Sequence, residues 1–462
     1  MVLWTGTFLL LVIAFGVQQE WLERKYPSPD EWSWITRKDF RSARWGQDSE
    51  DNEKIVDWAG TGSTYQRLLQ RLEDPNIDGA GIKDTVEGGI LVAGIGKTGY
   101  DISMKSEPWR RGYYQMMMGA ARAAEHLDGW VEDKSQNLAF PADMVVGPSN
   151  PNPKPVPPGD GNVSPPKEED CEVAFETPES FYMKILTTQG FTEKQRMDAA
   201  LAYAAWLDYK QTPEAAGSMY QWAMDIATSS SDTIVDRSGV LNPKIRNPSA
   251  NILTATTALA VHHALNGRLS EALPIFISVL RARRSLPDSP TTMRSTLIPD
   301  EEKEGLWTTA MAVAKNAIMA STYPPPPDEG TNPPQRGPKE RCEEAGIMTY
   351  IGEILYASKQ SSTSREDGLA WTREAVDVAE EELRRKGIEK DAKKTCQQCL
   401  EVGLGNWTTM VKRMAMEEKE KKAASSGSWF GFDQKDGVGR WGSEEQVIKE
   451  RLRRSAELLS PV

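Results

Sequence analysis

The sequence predicts an all-α fold in which helices stack in pairs. Three observations lead there. Ala, Glu, Lys, Leu and Met dominate the periodic segments, and strand-like alternation is sparse. Apolar residues recur at the three-and-four spacing of a helix in segment after segment. Residues 196–228 and 251–287 share one internal layout, which is the mark of a repeated unit.

The clearer copy is Asn251 to Pro287, NILTATTALAVHHALNGRLSEALPIFISVLRARRSLP. Leu253, Thr256, Leu259, Ala260 and His263 fall on one helix face. Asn266-Gly267 stops that helix, because Gly tolerates the left-handed turn a helix end needs. Ser270 is read as the cap of the next helix, whose apolar stripe is Ala272, Phe276 and Val279. Upstream, Arg196 to Thr228 aligns on this copy. Tyr203 matches Leu259, Ala204 matches Ala260 and Leu207 sits where His263 sits. Ala216, Tyr220 and Ala223 match the second-helix stripe. A weaker third copy begins near Ala345, with Ile351, Gly352 and Leu355 followed by Gly368, Thr372 and Ala375.

These segments resemble the tetratricopeptide repeat (TPR), a helix pair of about 34 residues that stacks on copies of itself. The resemblance implies an α-α repeat array wound as a right-handed superhelix. An ordinary helical bundle is the alternative, since the repeat's usual Trp and closing Pro are mostly missing.

The rest of the chain divides as follows. Residues 2–17, VLWTGTFLLLVIAFGV, are uncharged and largely apolar, at the short limit of about 17 residues for a membrane span. A single transmembrane anchor is the first expectation. A cleaved signal peptide and a buried N-terminal helix are the alternatives. Met1 abuts the apolar run, so a longer native N-terminus stays open.

Residues 18–62 form a neck in which Trp21, Tyr26, Trp32, Trp34 and Trp45 mix with Arg24, Lys25, Arg37, Lys38, Arg41 and Arg44. Such a mixture suits a membrane interface or packing on the helical body. Residues 63–140 are an N-terminal helical segment. Within it a short helix starts at a Ser63 cap, residues 74–101 are read as a Gly-rich loop, and Ser106 to Val131 is a strong helix with Pro108 in its first turn. Residues 141–178 are a Pro-rich linker, extended and without a core. Residues 179–424 hold the repeats, with irregular insertions at 232–248, 287–299 and 323–338 and further helices at 301–319 and 391–424. Residues 425–462 are a Gly/Ser loop and a capping helix.

Several chemistries find no support. The formal charge of −12 argues against nucleic acid as the main partner. Gly94 to Gly99 lacks the Gly five positions before Gly96 that a phosphate-cradling loop needs, because Leu91 stands there. His262 and His263 are adjacent and point to different sides of a helix, which makes a poor metal clasp. Cys396 and Cys399 share a helix face, and buried thiols are the leading reading over a redox pair or metal site. No catalytic set, metal, cofactor or small-molecule substrate is expected. Asn162 and Asn406 stand in glycosylation-type triplets, the second inside a helix.

The apolar anchor, the Trp/Arg neck and the degenerate repeats together resemble membrane-anchored mitochondrial TPR proteins. Among these are the adaptor subunits of the inner-membrane i-AAA protease complex. The motifs that carry this are LAYAAWLDYKQTPEAAGSMYQWA, ALAVHHALNGRLSEALPIFISVL, and IGEILYA with GLAWTREAVDVAEE. The resemblance implies a single-pass mitochondrial inner-membrane protein, with repeats in the intermembrane space. Its role would be a non-enzymatic scaffold that hands unfolded substrates to an AAA protease in protein quality control. A secretory-pathway membrane is the alternative location. A structural subunit of a membrane complex and an enzyme on an unfamiliar helical fold are the alternative functions.

In such repeats the groove is lined by first-helix positions that do not pack on the second helix. Carried over, these are Asp208, Tyr209, Thr254, Thr257, Tyr350, Glu353 and Tyr356. Acids, hydroxyls and aromatics there suit extended, partly apolar or basic peptides rather than acidic C-terminal tails.

Overall fold

A computed structural model describes the chain outside residues 1, 49–54, 85–90, 93–95, 98, 156–163, 230–233, 237, 289–322, 359–362, 386, 426–438 and 460–462. The side chains of 2–6, 8–11, 84, 91–92, 96–97 and 423–425 also lie outside the description. The fold is mostly helical, 66% helix, with 13 helices and few strands among the described residues. The chain divides into two compact units, Met1–Met219 with Ile298–Glu329, and Tyr220–Leu297 with Gly330–Val462.

The first unit is organised around α4 (Glu107–His126). Ser106 caps it by accepting from the Trp109 N–H, and Pro108 fits the first turn, where its missing N–H costs nothing. The expected stripe of Tyr113, Met116, Met117, Ala120, Ala124 and Leu127 is buried throughout. The helix stops at His126 rather than Val131, because Gly129 takes a left-handed φ of 75° and turns the chain into a strand. Packed around α4 are α2 (Trp34–Gln47), α3 (Trp58–Glu73), α5 (Pro178–Thr187) and α6 (Glu193–Tyr209), and α1 (Val2–Lys25) packs on α2. Asp57, not Ser63, caps α3 by accepting from the Gly60 N–H at 3.0 Å; the Ser63 hydroxyl donates to the Ala59 carbonyl inside the helix.

The strands are short. β1 (Lys83–Asp84) pairs with β4 (Tyr100–Asp101), and β2 (Leu91–Val92) with β3 (Gly96–Lys97), so the Gly-rich stretch is partly paired. β5 (Trp130–Asp133) lies between β6 (Leu138–Pro141) and β7 (Cys171–Val173) in an antiparallel sheet. This corrects the reading of 141–178 as a free linker. Its two ends fold back on each other, with the Val146 N–H donating to the Pro166 carbonyl at 2.8 Å. Residues 18–62 hold both buried and exposed aromatics. Trp32 and Tyr26 are buried, while Trp21, Trp34 and Trp45 are exposed. Buried Glu23 and Arg41 form an ion pair between α1 and α2, to which the Ser28 hydroxyl adds a bond on Glu23 at 2.9 Å.

The N-terminal apolar run is helical, within α1. No helix among the described residues is long and apolar enough to cross a membrane. The side chains of 2–6 and 8–11, most of the expected anchor, lie outside those residues. The helix expected at 301–319, Asn162 and most of the 425–441 loop lie outside them as well.

The boundary between the units falls within α7 (Pro213–Ala227). The second unit continues with α8 (Ala250–Leu265), α9 (Leu269–Arg284), α10 (Pro338–Ala357), α11 (Ser364–Leu383), α12 (Lys390–Ser425) and α13 (Arg440–Leu459). Each of α8 to α13 packs on the next, and α12 also packs on α10. α8 is capped by Ser249 and ends at Gly267, whose φ of 73° supplies the left-handed turn. α9 opens at Leu269 without a side-chain cap, so Ser270 sits inside the helix rather than capping it.

Candidate interaction surface of the helix pairs

Two helix pairs of the second unit carry the same seam. In α9 the positions Ala272, Phe276 and Val279 are fully buried. In α11 the equivalent Gly368, Thr372 and Ala375 are buried too. The first helices match: Leu259 and Ala260 in α8, Ile351 and Gly352 in α10, are all buried. Small residues at these places let backbones approach, and the large ones fill the space between. His262, rather than His263, is the fully buried histidine of α8, its ring tilted 40° against that of Tyr220 with centroids 4.9 Å apart.

The successive pairs meet at Tyr350. Its ring stacks on Phe276 of α9 at 5.1 Å and 14°, yet 38% of the residue stays exposed. Glu353, one turn further on α10, accepts a hydrogen bond from the Asn406 amide of α12. Burial raises the Glu353 carboxyl above the ordinary range, and the Asn406 bond only partly opposes this. Tyr356 donates its hydroxyl to the Met410 carbonyl at 3.1 Å, with Arg365 over its ring. Burial raises both Tyr350 and Tyr356.

Of the seven expected groove residues, these three are therefore brought together on one stretch of α10. Thr254 and Thr257 lie on α8, with hydroxyls donating to the carbonyls of Ala250 (2.9 Å) and Leu253 (2.6 Å). Asp208 and Tyr209 end α6 in the first unit, and Tyr209 is 81% exposed. Sequence reasoning missed Phe276 and Asn406 as partners of this surface. Asn406 had already drawn notice as a triplet, but its contact with α10 depends on how α12 is laid down.

The cysteines correct a second expectation. Cys396 is not a free thiol; it forms a disulfide with Cys342 and so ties α12 to α10. Cys399 is free, and its thiol donates to the Cys342 carbonyl at 3.1 Å. Burial pushes that thiol up to about 11, away from thiolate reactivity.

The fold and this surface define a helical protein with paired helices and an aromatic, acidic first-helix face. Comparison of the chain with protein-family models, curated proteins and solved structures finds no match.

Proposed function

We propose that the protein is a membrane-attached, non-enzymatic adaptor that holds extended protein segments along its helix pairs, resembling the mitochondrial repeat adaptors of the inner-membrane AAA protease. The observation that carries this reading is Tyr350. It is wedged between two pairs with matching buried seams, and it keeps an exposed aromatic edge beside the Glu353 carboxyl. A rigid aromatic face next to an acid suits extended apolar or basic peptides, because Tyr contributes contact area at low entropic cost.

Two further features support attachment and compartment. On α1, Val12, Ile13, Phe15 and Val17 are each more than two-fifths exposed, and Phe15 faces the exposed Trp34. Lipid would cover these side chains. The Cys342–Cys396 disulfide suits an oxidising compartment such as the intermembrane space or the secretory lumen.

The test is a peptide array of extended basic and aromatic sequences, probed with the protein and with Tyr350→Ala and Glu353→Gln. Peptides captured by the parent and lost by Tyr350→Ala support the reading. Capture that neither variant alters would remove α10 from it. Recovery of the inner-membrane AAA protease with the parent chain would then name the partner.

A further inference from the structure

We propose that a cleft in the first unit, between the end of α1, α2 and α4, binds a phosphate group carried by an anionic lipid or by a free phosphate ester. The cleft has a volume of about 510 Å³, and its lining includes Arg44, Gln47, Tyr114, Gln115, Met118 and Arg122.

Its charge is one-sided. The acid at its edge, Asp48, is already engaged by the Tyr26 hydroxyl at 2.5 Å and by Lys25 at 3.2 Å. Arg44 and Arg122 form no salt bridge among the described residues, although the Glu125 carboxylate, outside the cleft lining, feels the Arg122 charge. Arg44 lies instead over the rings of Tyr26 and Phe40, each at 5.9 Å. Gln47 adds a neutral donor. Its Oε1 accepts from the Tyr65 hydroxyl at 2.7 Å, which leaves Nε2 as the donor end, and that atom is buried without a partner among the described residues. Two guanidinium groups and an amide N–H around one cleft supply donors and positive charge with no acceptor of their own. An oxyanion satisfies all three, and Arg is the side chain whose fork fits phosphate oxygens.

Both guanidiniums also act on Tyr65. Burial pushes its phenol up to about 12, and Arg44 and Arg122 pull the other way, which places both charges near the hydroxyl that orients Gln47. The cleft is wider than a bare phosphate needs and falls in the range of small-molecule pockets. Tyr114 and Met118 give it walls for the group that carries the phosphate. Tyr26 directly follows Lys25, the last residue of α1, so the cleft sits at the end of the helix read as the membrane anchor. The lipid source rests on that anchor reading; the phosphate chemistry does not.

The test uses the full chain purified in detergent. Inorganic phosphate, monomeric dihexanoyl-phosphatidic acid and dihexanoyl-phosphatidylcholine are titrated by calorimetry. The expected result is saturable binding of phosphatidic acid, weakened about tenfold in Arg122→Ala, the loss of one charge-assisted hydrogen bond. Arg122 is exposed and forms no salt bridge among the described residues, so this variant is expected to fold as the parent does. Binding of inorganic phosphate alone, with the same loss, assigns the cleft to free phosphate esters. Absence of both, or binding that neither Arg122→Ala nor Arg44→Gln weakens, overturns the proposal. Flotation with phosphatidylcholine vesicles is read separately and reports on α1. A chain that fails to float yet binds phosphate would reject the anchor and keep the cleft.

Discussion

Gly352 of α10 and Gly368 of α11 meet backbone to backbone. A Cβ on Gly368 would stand 2.5 Å from the Gly352 carbonyl oxygen and 2.6 Å from the Tyr356 nitrogen. A Cβ on Gly352 would stand 2.5 Å from the Thr372 hydroxyl and 2.8 Å from the Gly368 oxygen. Backbone cannot swing aside as a side chain can, so the two helices would have to part. Gly368→Ala is expected to destabilise the second unit by about 1–3 kcal/mol through overpacking, despite the better helix propensity of Ala. Gly405→Ala in α12, where a Cβ meets nothing within 4 Å, is the control and should be neutral or stabilising by up to ~1 kcal/mol. Urea unfolding compares the two, and equal midpoints would contradict the close approach.

The disulfide gives a second prediction. Cys342 and Cys396 close a loop over a sequence separation of 54 residues. Reduction is expected to lower stability by about 2–4 kcal/mol, seen in calorimetry as a lower unfolding temperature with reductant. Native alkylation near neutral pH, mapped by mass spectrometry, should reach Cys171 before Cys399. Both residues are half-buried and burial raises both thiols, but the Cys399 thiol is pushed up to about 11, so it offers the less thiolate.

A third prediction concerns acid. Burial alone would raise the Glu380 carboxyl, but bonds from Arg451 (3.0 Å) and Ser455 (2.6 Å) of α13 outweigh burial and hold it below the ordinary range. A depressed carboxyl stabilises the fold above its unfolded pKa, near 4.5, and that contribution is lost as pH falls through the lower folded value. α13 is therefore expected to gain hydrogen exchange below about pH 4.5 before α10 and α11 do. Glu380→Gln should remove most of that dependence.

The Pro-rich stretch after residue 322 gives a fourth. Buried Arg111 of α4 donates to the Pro324 and Pro325 carbonyls at 2.6 and 2.7 Å and lies over the Tyr323 ring. Arg111→Met keeps much of the apolar stem and removes the donors. Limited proteolysis is expected to cut the chain around residues 323–328 faster in that variant. An unchanged cutting rate would mean that the clamp does not hold the segment.

How far these features could be read in advance depends on their range along the chain. The buried stripe of α4 and the seams of α9 and α11 were legible, because three-and-four spacing is a local property. The cap of α3 was missed because Asp57 lies before the apolar run begins, while Ser63 looked like a cap but bonds back to Ala59. β7 was missed because three residues are too few to show alternation, and its partner β5 is distant in sequence. The C-x-x-C spacing drew attention to Cys399 as the neighbour of Cys396. The actual partner, Cys342, is set by the packing of α12 on α10, which no local pattern records. Asn406 on Glu353 and Arg111 on Pro324 escaped for the same reason.

The central claim is a membrane-attached adaptor whose helix pairs face an oxidising compartment. Protease protection of a C-terminally tagged chain in isolated mitochondria, paired with carbonate extraction, tests it most directly. The expected result is a protein that stays with carbonate-washed membranes and is cleaved only after the outer membrane is ruptured. A protein released by carbonate, or absent from mitochondria, would contradict the account.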